Sequence, residues 1–124
     1  MKQLPNNYTK VGRLSQPVAK AIRRKAANIY IDDNHLRHIF IQHQEELAAI
    51  GFDALTFVQL VVSNYNRIYK GAGASLLLVI YNGKPKVTAI ELNLVLKYGF
   101  YEVKTAAIVR KTFLKEEKLL WPVK

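Results

Sequence analysis

Three histidines, His35, His38 and His43, lie within nine residues and are the only histidines of the chain. Histidine is suited to take or give a proton near neutral pH and is also a common metal ligand. The spacing argues against the second role. His35 and His38 stand i, i+3 on a helix, but His43 is turned about 140° from His38 at 100° per residue. The three therefore do not converge on one ion. No HExxH pattern or matching carboxylate offset accompanies them. Cysteine is absent, which excludes thiolate chemistry, disulfides and Cys-zinc sites. No serine sits in a G-x-S-x-G elbow and no G-x-G-x-x-G loop is present. Neither a metal nor another cofactor is expected.

Metal-free cleavage of an RNA phosphodiester fits what remains. It needs a base for the 2′-hydroxyl proton, an acid for the leaving 5′-oxygen, and cations or donors for the phosphate. His38 and His43 are the candidate proton carriers. Lys104 and Thr105 can supply charge and a hydrogen bond, and Arg67 and Arg110 add cations. Plainer roles stand beside these. His43 suits a hydrogen-bonded core histidine, and His35 and His38 suit exposed helix positions. Lys104 can pair with Glu91 or Glu102, and Thr105 is a good strand residue.

The histidines ride on a helix. Leu36, Ile39, Phe40, His43, Leu47 and Ile50 recur on one face, which predicts an amphipathic helix to about Ala49. His43 falls in the middle of the apolar stripe, with His35 and His38 on its flank. Ile29 and Ile31 alternate with polar neighbours as a short strand. Asp32 or Asp33 can cap the helix, and Gly51 suits its C′ position. Phe52–Val62 reads as a second helix, with a strand as the alternative at its β-branched end. From Arg67 the period changes to two. Arg67–Lys70, Ser75–Tyr81, Lys86–Leu96 and Tyr101–Val109 read as strands, with Asn82-Gly83 as a hairpin turn. Lys111–Leu120 reads as a charged, weakly helical tail. Residues 1–16 show no period, and Val18–Ala27 suits a short, solvated basic helix. The expected organisation is a basic arm over 1–27 and one α+β domain over 28–124. In it, N-terminal helices pack on a three- to four-stranded antiparallel sheet.

Composition sets the partners. The chain has 124 residues, 19 Lys and Arg, 9 Asp and Glu, and a net charge of +10. Seven of those cations (Lys2, Lys10, Arg13, Lys20, Arg23, Arg24, Lys25) precede the first acidic residue, Asp32. Such asymmetry is a usual footprint of nucleic-acid binding. Arg23, Arg24, Lys25, Arg67, Lys70 and Arg110 are the candidate nucleic-acid contacts. No apolar run approaches a membrane span and no leader is evident, so no membrane and a cytoplasmic location are expected.

Several stretches carry a resemblance. They are Ile29 to Ile39 with His43 following, the pair Val61–Asn64 and Arg67–Tyr69, and Tyr101-Glu102-Val103-Lys104-Thr105-Ala106. Together they resemble the phage-type nucleases of the barnase, EndoU, colicin and RelE-like superfamily, over about residues 28–115. The resemblance implies a barnase/RelE-type fold and a metal-independent ribonuclease activity, in phage or mobile-element proteins that are often toxin-like. It matches His38 and His43 to the family's histidine motif, and Lys104 with Thr105 to its last strand. An inhibitor or immunity protein is the implied partner besides RNA. A non-catalytic nucleic-acid- or partner-binding module, and a structural or regulatory protein of a mobile element, remain as other readings.

Overall fold

The computed structural model describes residues 7–49, 53–95, 98–115 and 117–122, apart from the side chains of residues 43, 44, 46–49 and 107. The expected His43, Leu47, Ile50, Gly51 and Leu96 placements lie outside the described side chains and residues. Eleven elements follow in order: β1 (Tyr8–Leu14), α1 (Gln16–Ala21), β2 (Ala27–Asp32), α2 (Asp33–Ala49), α3 (Ala54–Asn64), β3 (Arg67–Lys70), β4 (Leu76–Ile80), β5 (Lys86–Val95), β6 (Phe100–Arg110), α4 (Lys111–Leu114) and β7 (Leu119–Trp121).

The strands form one seven-stranded sheet in the order β1-β2-β6-β5-β4-β3-β7. Strands β2 and β6 run parallel, and every other neighbouring pair is antiparallel. The expected barnase/RelE-type arrangement of N-terminal helices on three or four antiparallel strands is thereby corrected: the class is α+β, but the sheet is larger and mixed. The expectation failed at the edges. β1 carries Lys10, Gly12 and Arg13 in place of an alternating apolar pattern, so it reads as punctuation. Its register shifts between Lys10 and Gly12. Charge and a bulge are what an edge strand uses against further pairing. At the other edge, β7 is three residues long.

Where periodicity was strong, elements match. Asp53 accepts the Thr56 backbone N–H at 2.7 Å and caps α3. Asp32 accepts the His35 backbone N–H at 2.7 Å, the geometry of a cap on α2. The Asn82-Gly83 segment joins β4 to β5 in antiparallel register.

One face of the sheet carries the main core. Ile29, Ile31, Ile68, Leu76, Leu78, Ile90, Leu92, Tyr101 and Val103 pack with Phe57, Val58, Val61 and Val62 of α3 and with Ile39 of α2. Ala19 and Ile22 at the first helix join that cluster, so the helix expected to be solvated is anchored. Phe40, assigned to the apolar stripe of α2, is instead exposed. A smaller cluster of Tyr69, Val79, Val87, Ala89 and Leu114 lies on the other face.

The β5–β6 register shifts once, at Glu91/Leu92, where Thr105 and Val103 are the successive partners. Lys104 is the extra residue of a bulge, so Val103 and Thr105 do not share the face that simple alternation gives them. Bulges of this kind re-aim side chains. This one sits beside Glu102.

Candidate functional site

Three neighbouring strands bring one group of polar side chains together. In β1–β2, Tyr8 stands opposite Asp32, and in the parallel β2–β6 pair Tyr30 stands beside Glu102. Asp32 ends β2, and His35 follows in the first turn of α2. Lys104, the bulged residue two positions beyond Glu102 on β6, turns its side chain back to Glu102. Parallel pairing is therefore what joins the β2–α2 corner to β6.

Glu102 is the centre of the group and is buried, with 7% of its surface exposed. A buried carboxylate needs partners, since unpaired burial of a charge is costly. The Tyr8 hydroxyl donates to Glu102 Oε2 at 2.6 Å. His35 Nδ1 lies 3.4 Å and Lys104 Nζ 3.6 Å from Glu102 Oε1. His35 Nδ1 is also 2.9 Å from Asp32 Oδ1. That nitrogen is fully enclosed but aligned for a hydrogen bond with neither carboxylate. The side chain as a whole keeps 27% of its surface open, so its exposure belongs to the rest of the ring. Two carboxylates thus flank the Nδ1 side of His35.

Burial, followed by the hydrogen bond to Glu102 and the nearby carboxylate charges, holds the Tyr8 phenol well above its ordinary range. Tyr8 is therefore a protonated donor at neutral pH. Behind it stands an aromatic wall. Phe100 packs against Tyr8, Tyr30 and Tyr98, with centroid separations of 5.2, 4.8 and 5.4 Å.

The expected site residues divide. Lys104 is in the group. Thr105 stands opposite Glu91 and, with it, lines a cavity of about 270 Å³ that also includes Gly71, Leu77 and Phe113. Ser75, buried, sets its hydroxyl 2.8 Å from the Ala72 carbonyl and 2.9 Å from Glu91 Oε2, and can donate to one at a time. His38 is exposed on α2 and, among the described residues, makes no polar contact to β6. His35, from the same cluster, is the histidine that reaches that strand.

Among the expected nucleic-acid contacts, Arg23, Lys25, Lys70 and Arg110 are exposed and Arg24 is half-buried. The Lys25 carbonyl accepts the Tyr101 hydroxyl at 2.7 Å, which ties the basic segment to β6. Arg67 lies over the Tyr81 ring at 3.5 Å and donates to the Tyr69 hydroxyl at 3.0 Å. Asp32, His35, Glu102 and Tyr8 were not legible as a site. Asp32 read as a cap, His35 as rim, Glu102 as a partner for Lys104, and Tyr8 as part of an irregular stretch. The one signal present was the Glu102-x-Lys104 spacing on a strand.

The group has two chemical capacities. It can move a proton through His35 beside a fixed lysine charge. It can also offer donors to a cation, since Asp32, His35 and Glu102 each present a ligand atom and these lie within 4.8 Å of one another. Comparison with protein-family models, curated proteins and solved structures yields no match. No helix among the described residues is long and apolar enough to cross a membrane.

Proposed function

We propose that this chain cleaves RNA phosphodiester bonds without a metal, with Glu102, His35 and Lys104 as the working group. The observation that carries the reading is a buried Glu102 carboxylate placed against an imidazole, a lysine and a phenol, on a chain of net charge +10. His35 takes the 2′-hydroxyl proton while Asp32 and Glu102 steady the imidazolium that forms. The 2′-oxygen attacks phosphorus and the P–O5′ bond breaks, leaving a 2′,3′-cyclic phosphate. The 5′-oxygen leaves with a proton from water, and His35 returns its proton to the resulting hydroxide. Lys104 offsets the charge that gathers on the phosphate. Tyr8 keeps Glu102 in place by donating to it.

A second reading rests on the shared donor geometry of Asp32, His35 and Glu102. In it the three hold a divalent cation that assists hydrolysis. Incubating the purified protein with total RNA and with single-stranded DNA, in EDTA and in Mg²⁺ or Mn²⁺, separates the two. The metal-free mechanism gives RNA cleavage that persists in EDTA and spares DNA. Cleavage abolished by EDTA and restored by the cation shifts the site to the second reading. Retention of RNA with no cleavage in any condition leaves a binding module.

A further inference from the structure

At the far end of β5 and β6, well away from Glu102, cations gather without counter-charges among the described residues. Lys86 and Arg110 stand directly opposite each other in the β5–β6 ladder. Like charges in that position are destabilising. Lys84, Lys86, Arg110 and Lys111, with Pro85 and Thr112, line one open surface cavity of about 500 Å³. Lys111 and Arg67 both lie over the Tyr81 ring, at 4.6 and 3.5 Å. None of these five cations makes an ion pair with a carboxylate among the described residues.

The backbone around the cavity is fixed. The Lys111 N–H donates to the Pro85 carbonyl at 3.0 Å, which clamps the start of α4 to the β4–β5 hairpin. Within the hairpin, the Lys84 N–H donates to Asn82 Oδ1 at 2.9 Å. The cations are thus held together by main-chain geometry despite their repulsion. A polyanion relieves that repulsion on binding, and release of its counterions adds to the affinity.

We propose that the Lys84–Lys86–Arg110–Lys111 cavity is a phosphate-binding site for the backbone of a nucleic acid. It is distinct from the Glu102 centre. Arg110 lies six residues beyond Lys104 on β6, a separation of roughly 20 Å at strand rise. Along β5 the partners of Arg110 and Glu102, Lys86 and Asn93, are an odd number of residues apart, and the β6 bulge lies between Glu102 and Arg110, so Lys86 and Arg110 fall on the opposite side of the sheet from Glu102. The bound strand is accordingly gripped at the sheet's end and does not need the reacting carboxylate. The site stands or falls on binding alone.

The test is fluorescence anisotropy of a labelled 16-nucleotide single-stranded RNA, from 50 to 300 mM KCl. It uses Glu102→Gln as the reference chain so that the probe survives. Adding Lys86→Gln and Arg110→Gln should weaken binding about tenfold at low salt and reduce the salt slope by about 1.4, the single-strand value for two charges. Adding Arg37→Gln and Lys118→Gln instead removes the same charge from exposed positions elsewhere and should leave the slope unchanged. Equal losses in both double variants, or none in either, overturns the proposal. So does competition by tripolyphosphate far beyond its ionic-strength effect, which would make the occupant a small phosphate ligand. Folding has its own readout: removing a like-charge pair should leave Tm unchanged or raise it. If Tm falls, Lys84→Gln with Lys111→Gln takes the place of the first pair, under the same criteria.

Discussion

Glu102 owes its place to Tyr8, and Tyr8 gives the most direct handle on the group's electrostatics. Its phenol is held protonated above the ordinary tyrosine range, with burial the largest cause and Glu102 next. The unfolded chain ionises that phenol near pH 10, before the folded chain does. Its contribution to stability is therefore complete below pH 10 and is lost as pH rises through the folded-state value. Thermal melts between pH 9 and 12 should show Tm falling with pH, and falling less steeply in Tyr8→Phe. Tyr65 and Tyr101, raised by burial, add to the slope in both proteins. An identical slope in Tyr8→Phe would remove the phenol–Glu102 pairing from the account. Composition made some of this group readable. The histidine cluster and Lys104 drew attention by residue type alone. The choice of His35 over His38 was not readable, because both occupy the flank of α2 on a wheel. What separates them is that His35 lies in the first turn, where β2 delivers the helix beside β6.

At the scale of elements, the site depends on β1 and β2 lying in register with β6. Gly12 is the point where β1 meets α3. A Cβ there would run into Val62 Cγ1 on the helix, and Val62 is itself a core residue. Gly12→Ala should destabilise the protein by roughly 1–3 kcal/mol, the usual cost of overpacking, measured by urea denaturation. An unchanged midpoint would mean β1 does not pack on α3. The same glycine explains why β1 was missed from sequence: in Lys10-Val11-Gly12-Arg13 it breaks the alternation that announces a strand. β3, β4, β5 and β6 were legible because their apolar residues recur with period two or run continuously. α2 and α3 were legible from period 3.6, and α2 also from its aspartate cap. The parallel β2–β6 pairing joins residues about seventy positions apart, and no local pattern encodes a contact of that range. The Lys104 bulge, which re-aims Thr105, was hidden for the same reason.

For the whole molecule, the N-terminal stretch is part of the sheet and part of the site at once. β1 covers the β2 edge, buries Val11 and Leu14 in the main core, and supplies Tyr8. A chain beginning at Ser15 should melt at lower temperature and associate through the exposed β2 edge, checked by calorimetry and light scattering. An unchanged Tm with a monomeric chain would reduce β1 to an appendage. The basic charge then has two placements, one near the Glu102 centre through Lys104 and one at the far sheet end around Lys86 and Arg110. That separation lets binding and cleavage be tested by different variants. The central claim is that the Glu102–His35 pair moves the proton in RNA cleavage. Single-turnover cleavage of a labelled RNA in EDTA tests it most directly, with wild type, Glu102→Gln, His35→Ala and His38→Ala compared. Rates lower by about 10²–10⁴-fold in the first two variants, with His38→Ala near wild type, are the expected result. Wild-type rates in Glu102→Gln and His35→Ala would contradict it.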